Sequence, residues 1–247
     1  MRVRLPIGPE SRLHPQVTRT LALHVVRSSR AGQIVNFPKE ADLCTQLGVS
    51  RSILRESMKV LTDKGMIEMK PRAGTRSRPA EHWNRLDPDI LCWQAEVGAD
   101  ANFLQQLCEV RLAIEPTAAG FAAVRATPAE TKEIRSILDA RQQAQTRSTF
   151  RRQVELDLDF QAAVVRASHN PMLVHLAACI RQPFRMALEA VTRTPAEARL
   201  SLEVHEALVD SLERHDALGA RRAAEELVGL AMLAAGEGRQ MLHATDG

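Results

Sequence analysis

Arg51 and Arg55 lie four residues apart in the stretch GVSRSILRES, residues 48–57. On a helix, positions i and i+4 share a face, so these two guanidiniums point the same way, away from the apolar set Ile53, Leu54 and Val60–Leu61. A planar, permanently charged guanidinium bonds phosphate and fits the O6/N7 edge of guanine. Ser50 and Ser52 add hydroxyls suited to phosphate or base contacts, and Arg72, Gly74 and Thr75 follow in a basic stretch. A second set lies far downstream. Arg111 is one turn from Leu107 and Cys108, and His205 sits between Leu202 and Leu208. Asp157 and Gln161 lie along the stripe Val154, Leu158, Ala162 and Val165. Buried ionisable groups are costly unless paired, hydrogen-bonded or metal-bound. Arg111, Asp157, Gln161 and His205 therefore either surround a polar ligand or satisfy one another, as in an Arg111–Asp157 bridge.

Charge separates the two sets. Residues 1–80 hold 15 Lys and Arg against 6 Asp and Glu, whereas residues 81–247 hold 18 against 24. A basic first third joined to an acidic remainder assigns the polyanion partner to the first part alone. The 247 residues suffice for two modest domains. Tyr is absent and aromatic content is 3%, which argues against a base-stacking platform for RNA. Cys44, Cys92, Cys108 and Cys179 form no CxxC pair, as expected of free thiols in a reducing cytosol. No long apolar run or signal-peptide core occurs, so the expectation is a soluble, cytoplasmic protein with no membrane partner.

The elements that must position the first set are short. Val17, Leu21 and Val25 recur at helical spacing in residues 14–29, and Leu43 and Leu47 do so in residues 39–47. Gly48-Val49-Ser50 is a turn, Ser50 caps the next helix, and that helix stops at Gly65. Residues 66–79 then give two short strands around Arg72-Ala73-Gly74. Helix, helix–turn–helix and basic hairpin make a winged helix-turn-helix over 10–80. In such a module the second helix of the pair enters the major groove of double-stranded DNA. Residues 81–99 read as a linker with a short helix starting near Asp87-Pro88. Residues 100–243 read as an all-α bundle of six helices, broken near Thr127-Pro128, Asn170-Pro171, Thr194-Pro195 and His215-Asp216, with Pro183 expected to kink the fourth. The fold class is mainly α, an N-terminal winged helix-turn-helix followed by a helical bundle.

The stretch LGVSRSILRESMKVLTDKGMIEMKPRAGT resembles the DNA-binding domain of GntR-type regulators. One departure is Lys39-Glu40-Ala41, where the family often has Ser-Glu-Arg. The arginine contact at position 41 is missing, and Lys39 replaces it only as a phosphate contact. The stretches at 109–130, 157–173 and 203–227 resemble the FCD domain of the FadR subfamily. With WNRLDPDILCW they look most like its regulators of galactonate and related sugar-acid operons. The resemblance implies a homodimeric repressor of a sugar-acid catabolic operon, bound to its operator through Lys39, Ser50, Arg51, Ser52, Arg55, Arg72, Gly74 and Thr75. A small carboxylate or sugar-acid effector held by Arg111, Asp157, Gln161 and His205 releases it.

Many FCD domains bind a divalent metal through an Asp, a His four residues later and two further histidines. Asp157 and His205 match that set, but Gln161 stands at the second position and the last falls near Leu227. Two good ligands leave the shell incomplete unless an effector fills it. Less than one transition metal per chain is expected. The alternative reading, an all-helical metalloenzyme with an accessory DNA-binding domain, lacks an HExxH, a phosphate loop or a nucleophile–base arrangement.

Overall fold

A computed structural model describes residues 10–70, 74–98, 101–147, 150–189 and 195–244. It divides into two compact units after Gly98.

The first unit holds α1 (Glu10–Arg30), α2 (Glu40–Leu47), α3 (Arg51–Asp63), β1 (Ile67–Lys70), β2 (Gly74–Ser77) and α4 (Pro88–Glu96). Gly48 closes α2 in the left-handed region at φ 66°, the conformation glycine adopts at no steric cost. Ser50 then caps α3, its hydroxyl accepting from Ile53 N at 3.4 Å. The apolar face of α3 (Ile53, Leu54, Met58, Leu61) packs with Val17, Leu21, Val25 and Val26 of α1 and Leu43 of α2. Gly65 ends the helix where a Cβ would lie 2.4 Å from the His82 carbonyl oxygen, so only glycine fits. β1 and β2 pair antiparallel, with Met69 opposite Thr75 and Lys70 opposite Gly74.

Residues 81–98 of the segment 81–99, read above as a linker, belong to this first unit. Trp83, Ile90 and Trp93 are buried in the core shared with α1 and α3. Asp87 caps α4 through Asp89 N at 3.0 Å and also takes the Lys64 ammonium at 2.7 Å. Burial alone would lower the Lys64 pKa, but its hydrogen bonds to Asp87 and Asp89 outweigh it and raise the value. The physical reason for the correction is apolar mass: two tryptophans and an isoleucine are too much to leave in water.

The second unit is the bundle α5 (Ala101–Arg125), α6 (Pro128–Arg147), α7 (Phe150–Ala167), α8 (Pro171–Glu189), α9 (Pro195–Glu213) and α10 (Ala217–Ala244). Pro183 falls inside α8 without ending it. Ala119, Ala122 and Ala123 of α5 meet Ala220, Ala223 and Ala224 of α10 in the main core, where small side chains let two backbones approach. Phe160, Leu208, Val209 and Leu212 fill the space beside them.

α6 starts with reciprocal caps. Thr127 Oγ1 accepts from Glu130 N at 3.3 Å, and Glu130 Oε2 accepts from Thr127 N at 2.8 Å. The Thr127 backbone donor, then His169, holds the Glu130 carboxyl down at about 2 from 4.5. Thr127→Ala should cost about 1 kcal/mol in chemical denaturation. A depressed carboxyl stabilises above its unfolded pKa and stops doing so as pH falls through its folded one. The Glu130→Gln variant should therefore melt below wild type at pH 7, with the gap closing from about pH 4.5 towards 2. A gap independent of pH would contradict this cap.

Candidate functional site

The face of α3 opposite its core carries Arg51, Ser52 and Arg55, all exposed. Arg55 Nε bonds Glu40 Oε2 of α2 at 3.0 Å, and that bond, then the charge of Glu40, raises the Arg55 pKa. Ser50 and Ser52 hydroxyls meet at 2.9 Å. Lys39, exposed, precedes α2. Gly74 turns at φ 84°, and Thr75 accepts Phe37 N at 2.9 Å through its carbonyl. Arg72 lies outside the described residues. Helix tip and strand pair thus belong to one unit whose first 80 residues carry the chain's positive charge, an arrangement that suits a phosphate backbone with base edges beneath it.

In the bundle, a cavity of about 260 Å³ opens among α5, α7 and α8. Arg111 lines it while only 2% exposed. Its Nε and Nη2 donate to Glu115 at 2.6 and 2.9 Å, and its guanidinium lies 3.9 Å from the centre of the Phe184 ring. Its Nη1 is buried with no hydrogen-bond partner among the described residues. A guanidinium nitrogen without an acceptor in a dry wall is strongly unfavourable. An anion in the cavity would relieve it.

Gln161 also lines this cavity, but Asp157 and His205 do not. They form a separate polar centre. Asp157 pairs with Arg141 of α6, a residue 6% exposed, whose Nη2 donates to Ser201 Oγ at 3.0 Å. His205 Nδ1 donates to the Ser201 carbonyl at 2.6 Å, and its ring meets Phe160 edge-on at 4.7 Å. His205 Nε2 stands 3.9 Å from Asp157 Oδ1. The Arg111–Asp157 bridge is therefore not formed, because each has a nearer partner of opposite charge. Sequence reasoning missed Glu115, Phe184, Arg181 and Arg141. Glu115 was findable, since it stands four residues from Arg111 on the same face.

The residues do not fit a divalent metal. The positive charge beside Asp157 is a guanidinium, Gln161 turns to the other cavity, and Leu227 is core. Among the described residues no group of three or more His, Cys, Asp or Glu is spaced to hold an ion.

Residues 106–229 match the FCD domain, and residues 28–76 match the bacterial regulatory proteins of the gntR family. The galactonate operon transcriptional repressor of Escherichia coli is 35% identical over 78% of this chain and 83% of its own. The Uxu operon transcriptional regulator of the same organism is 29% identical over 74% of this chain and 65% of its own. A solved Listeria monocytogenes structure, described as Lar controlling expression of the agr system, superposes with a TM-score of 0.61 at 14% identity. It covers 95% of this chain and 99% of that one, and shares its fold.

The Arg141–Asp157 pair has a measurable signature. Arg141→Met should destabilise the bundle by about 3–5 kcal/mol, because it removes one partner of a buried ion pair. The double variant Arg141→Met/Asp157→Leu should recover most of that loss in the same denaturation experiment. A single-variant cost below about 1 kcal/mol would mean that the carboxylate is balanced by another charge.

Proposed function

Because this chain belongs to the GntR family of bacterial regulatory proteins and carries an FCD domain, we propose that it represses an operon for sugar-acid catabolism. It leaves its operator when a small carboxylate effector fills the cavity among α5, α7 and α8. The observation that carries the effector half is Arg111, a buried residue of the cavity lining whose Nη1 has no hydrogen-bond partner among the described residues. Similarity to a galactonate operon repressor supports the choice of operon class.

On DNA, Arg51 and Arg55 read base edges from the groove. Ser50, Ser52 and Lys39 bond phosphate or base, and the hairpin of Arg72, Gly74 and Thr75 reaches backbone or minor groove. One such helix reads only a few base pairs. A homodimer on paired half-sites supplies the remaining specificity. The protein acts in the cytoplasm, where its operator is. It catalyses no reaction: the ligand works through unequal affinity for the DNA-bound and released states. No observation favours the metalloenzyme reading, and both matched domains are those of transcriptional regulators.

Operator titration by fluorescence anisotropy tests both halves, with D-galactonate and related aldonates as candidate effectors. Arg51→Ala and Arg55→Ala should each cost about 1–3 kcal/mol of operator affinity. Arg111→Lys keeps a cation beside Glu115 but loses the guanidinium fork. It should bind operator like wild type yet need more than about tenfold higher effector for release, the worth of one charge-assisted hydrogen bond. Operator affinity unmoved by either α3 variant would overturn the DNA assignment. Release of Arg111→Lys at the wild-type effector concentration would remove Arg111 from the site.

A further inference from the structure

The cavity is polar at one place and apolar elsewhere. Eight of its thirteen lining residues are apolar, among them Ala162, Val165, Ile180 and Phe184. The polar ones are Arg111, Glu115, Gln161, Arg166 and Arg181. Two of these turn to carboxylates that do not line the cavity. Arg166 donates to Glu133 at 3.0 Å, and Arg181 to Asp159 at 2.7 Å. Arg111 and Glu115 remain together, bonded to each other, with Gln161 on the neighbouring helix.

In that pair Arg111 Nη1, which has no hydrogen-bond partner among the described residues, accompanies the two acceptor oxygens of Glu115. Among the described residues Glu115 receives the two Arg111 bonds at 2.6 and 2.9 Å, and a carboxylate has about four lone-pair sites. The ligand chemistry complementary to a donor next to an acceptor is an anion next to a donor. A carboxylate flanked by a hydroxyl on the adjacent carbon has that pattern. At the far end of such a molecule, hydroxyls would meet the apolar wall, where an unsatisfied hydroxyl is disfavoured. The volume, about 260 Å³, lies just below the range of about 300–1,000 Å³ that holds drug-sized ligands, and so takes a smaller molecule.

We propose that the cavity selects a sugar acid hydroxylated beside its carboxylate and deoxygenated at its far end. Arg111 Nη1 donates to the carboxylate, Glu115 accepts from the C2 hydroxyl, and the terminal carbons lie against Ile180, Val165 and Ala162. This rests on the sugar-acid reading above and narrows it. Glu115 is the residue that reads the C2 hydroxyl, and the apolar wall reads the missing terminal one.

Calorimetric titration of the full chain with three matched probes tests this: D-galactonate, 6-deoxy-D-galactonate and 2-deoxy-D-galactonate. The 6-deoxy acid should bind about ten- to hundredfold tighter than galactonate, the scale on which an apolar pocket rejects an added hydroxyl. The 2-deoxy acid should bind at least about tenfold weaker than galactonate, because Glu115 then loses its donor. Glu115→Gln, checked for folding by circular dichroism, should shrink the galactonate to 2-deoxygalactonate ratio. It should leave the 6-deoxy preference in place. Galactonate binding as tightly as its 6-deoxy analogue would overturn this proposal and leave the sugar-acid reading standing. Binding by none of the three would overturn both.

Discussion

A guanidinium buried inside a helical bundle is the constraint on which the second unit turns. Arg111 is 2% exposed, and an uncompensated charge there would oppose folding by several kcal/mol. The fold answers with Glu115 one helical turn on, at 2.6 and 2.9 Å, and with the Phe184 ring across the guanidinium face. These partners satisfy Nε, Nη2 and the π-face, but not Nη1. Among the described residues this guanidinium nitrogen thus lacks an acceptor. α5 supplies Arg111 and Glu115, α8 supplies Phe184 and α7 supplies Gln161, so three helices build the wall of this cavity.

A second buried arginine shows the contrasting solution. Arg141 is 6% exposed, pairs with Asp157 and donates to Ser201 at 3.0 Å. His205 is tied to the same residue through the Ser201 carbonyl at 2.6 Å. This centre draws on α6, α7 and α9 and carries its own cation. The Asp157 carboxylate thus has a guanidinium partner, whereas Arg111 Nη1 has no hydrogen-bond partner among the described residues.

Much of the architecture was legible in the sequence, for local reasons. Gly48, Gly65, Pro128, Pro171 and Pro195 punctuate the helices, and backbone chemistry at these residues leaves few alternatives. The face of α3 was legible too, since Ile53, Leu54 and Leu61 repeat at helical spacing and leave Arg51 and Arg55 outside. The linker reading missed that Trp83, Ile90 and Trp93 are buried in the core shared with α1 and α3, because a helix as short as α4 does not show in the sequence what it packs against. In the bundle, Arg111, Asp157, Gln161 and His205 were found as inward polar residues, but their partners were not. Glu115 follows from the i+4 rule, whereas Arg141 sits in a helix rich in charge, where one buried arginine looks like the exposed ones. Which polar residues share a cavity depends on helix crossings, which periodicity along one chain does not encode.

In the proposed mechanism the anion goes to Arg111 and not to the Arg141–Asp157 centre. A crystal structure of the protein grown with the tightest-binding sugar acid decides this directly. A carboxylate oxygen should stand about 2.7–2.9 Å from Arg111 Nη1, with Asp157 still on Arg141. A ligand seated instead on Asp157 and His205, with Arg141 displaced and the α5–α7–α8 cavity empty, would contradict it.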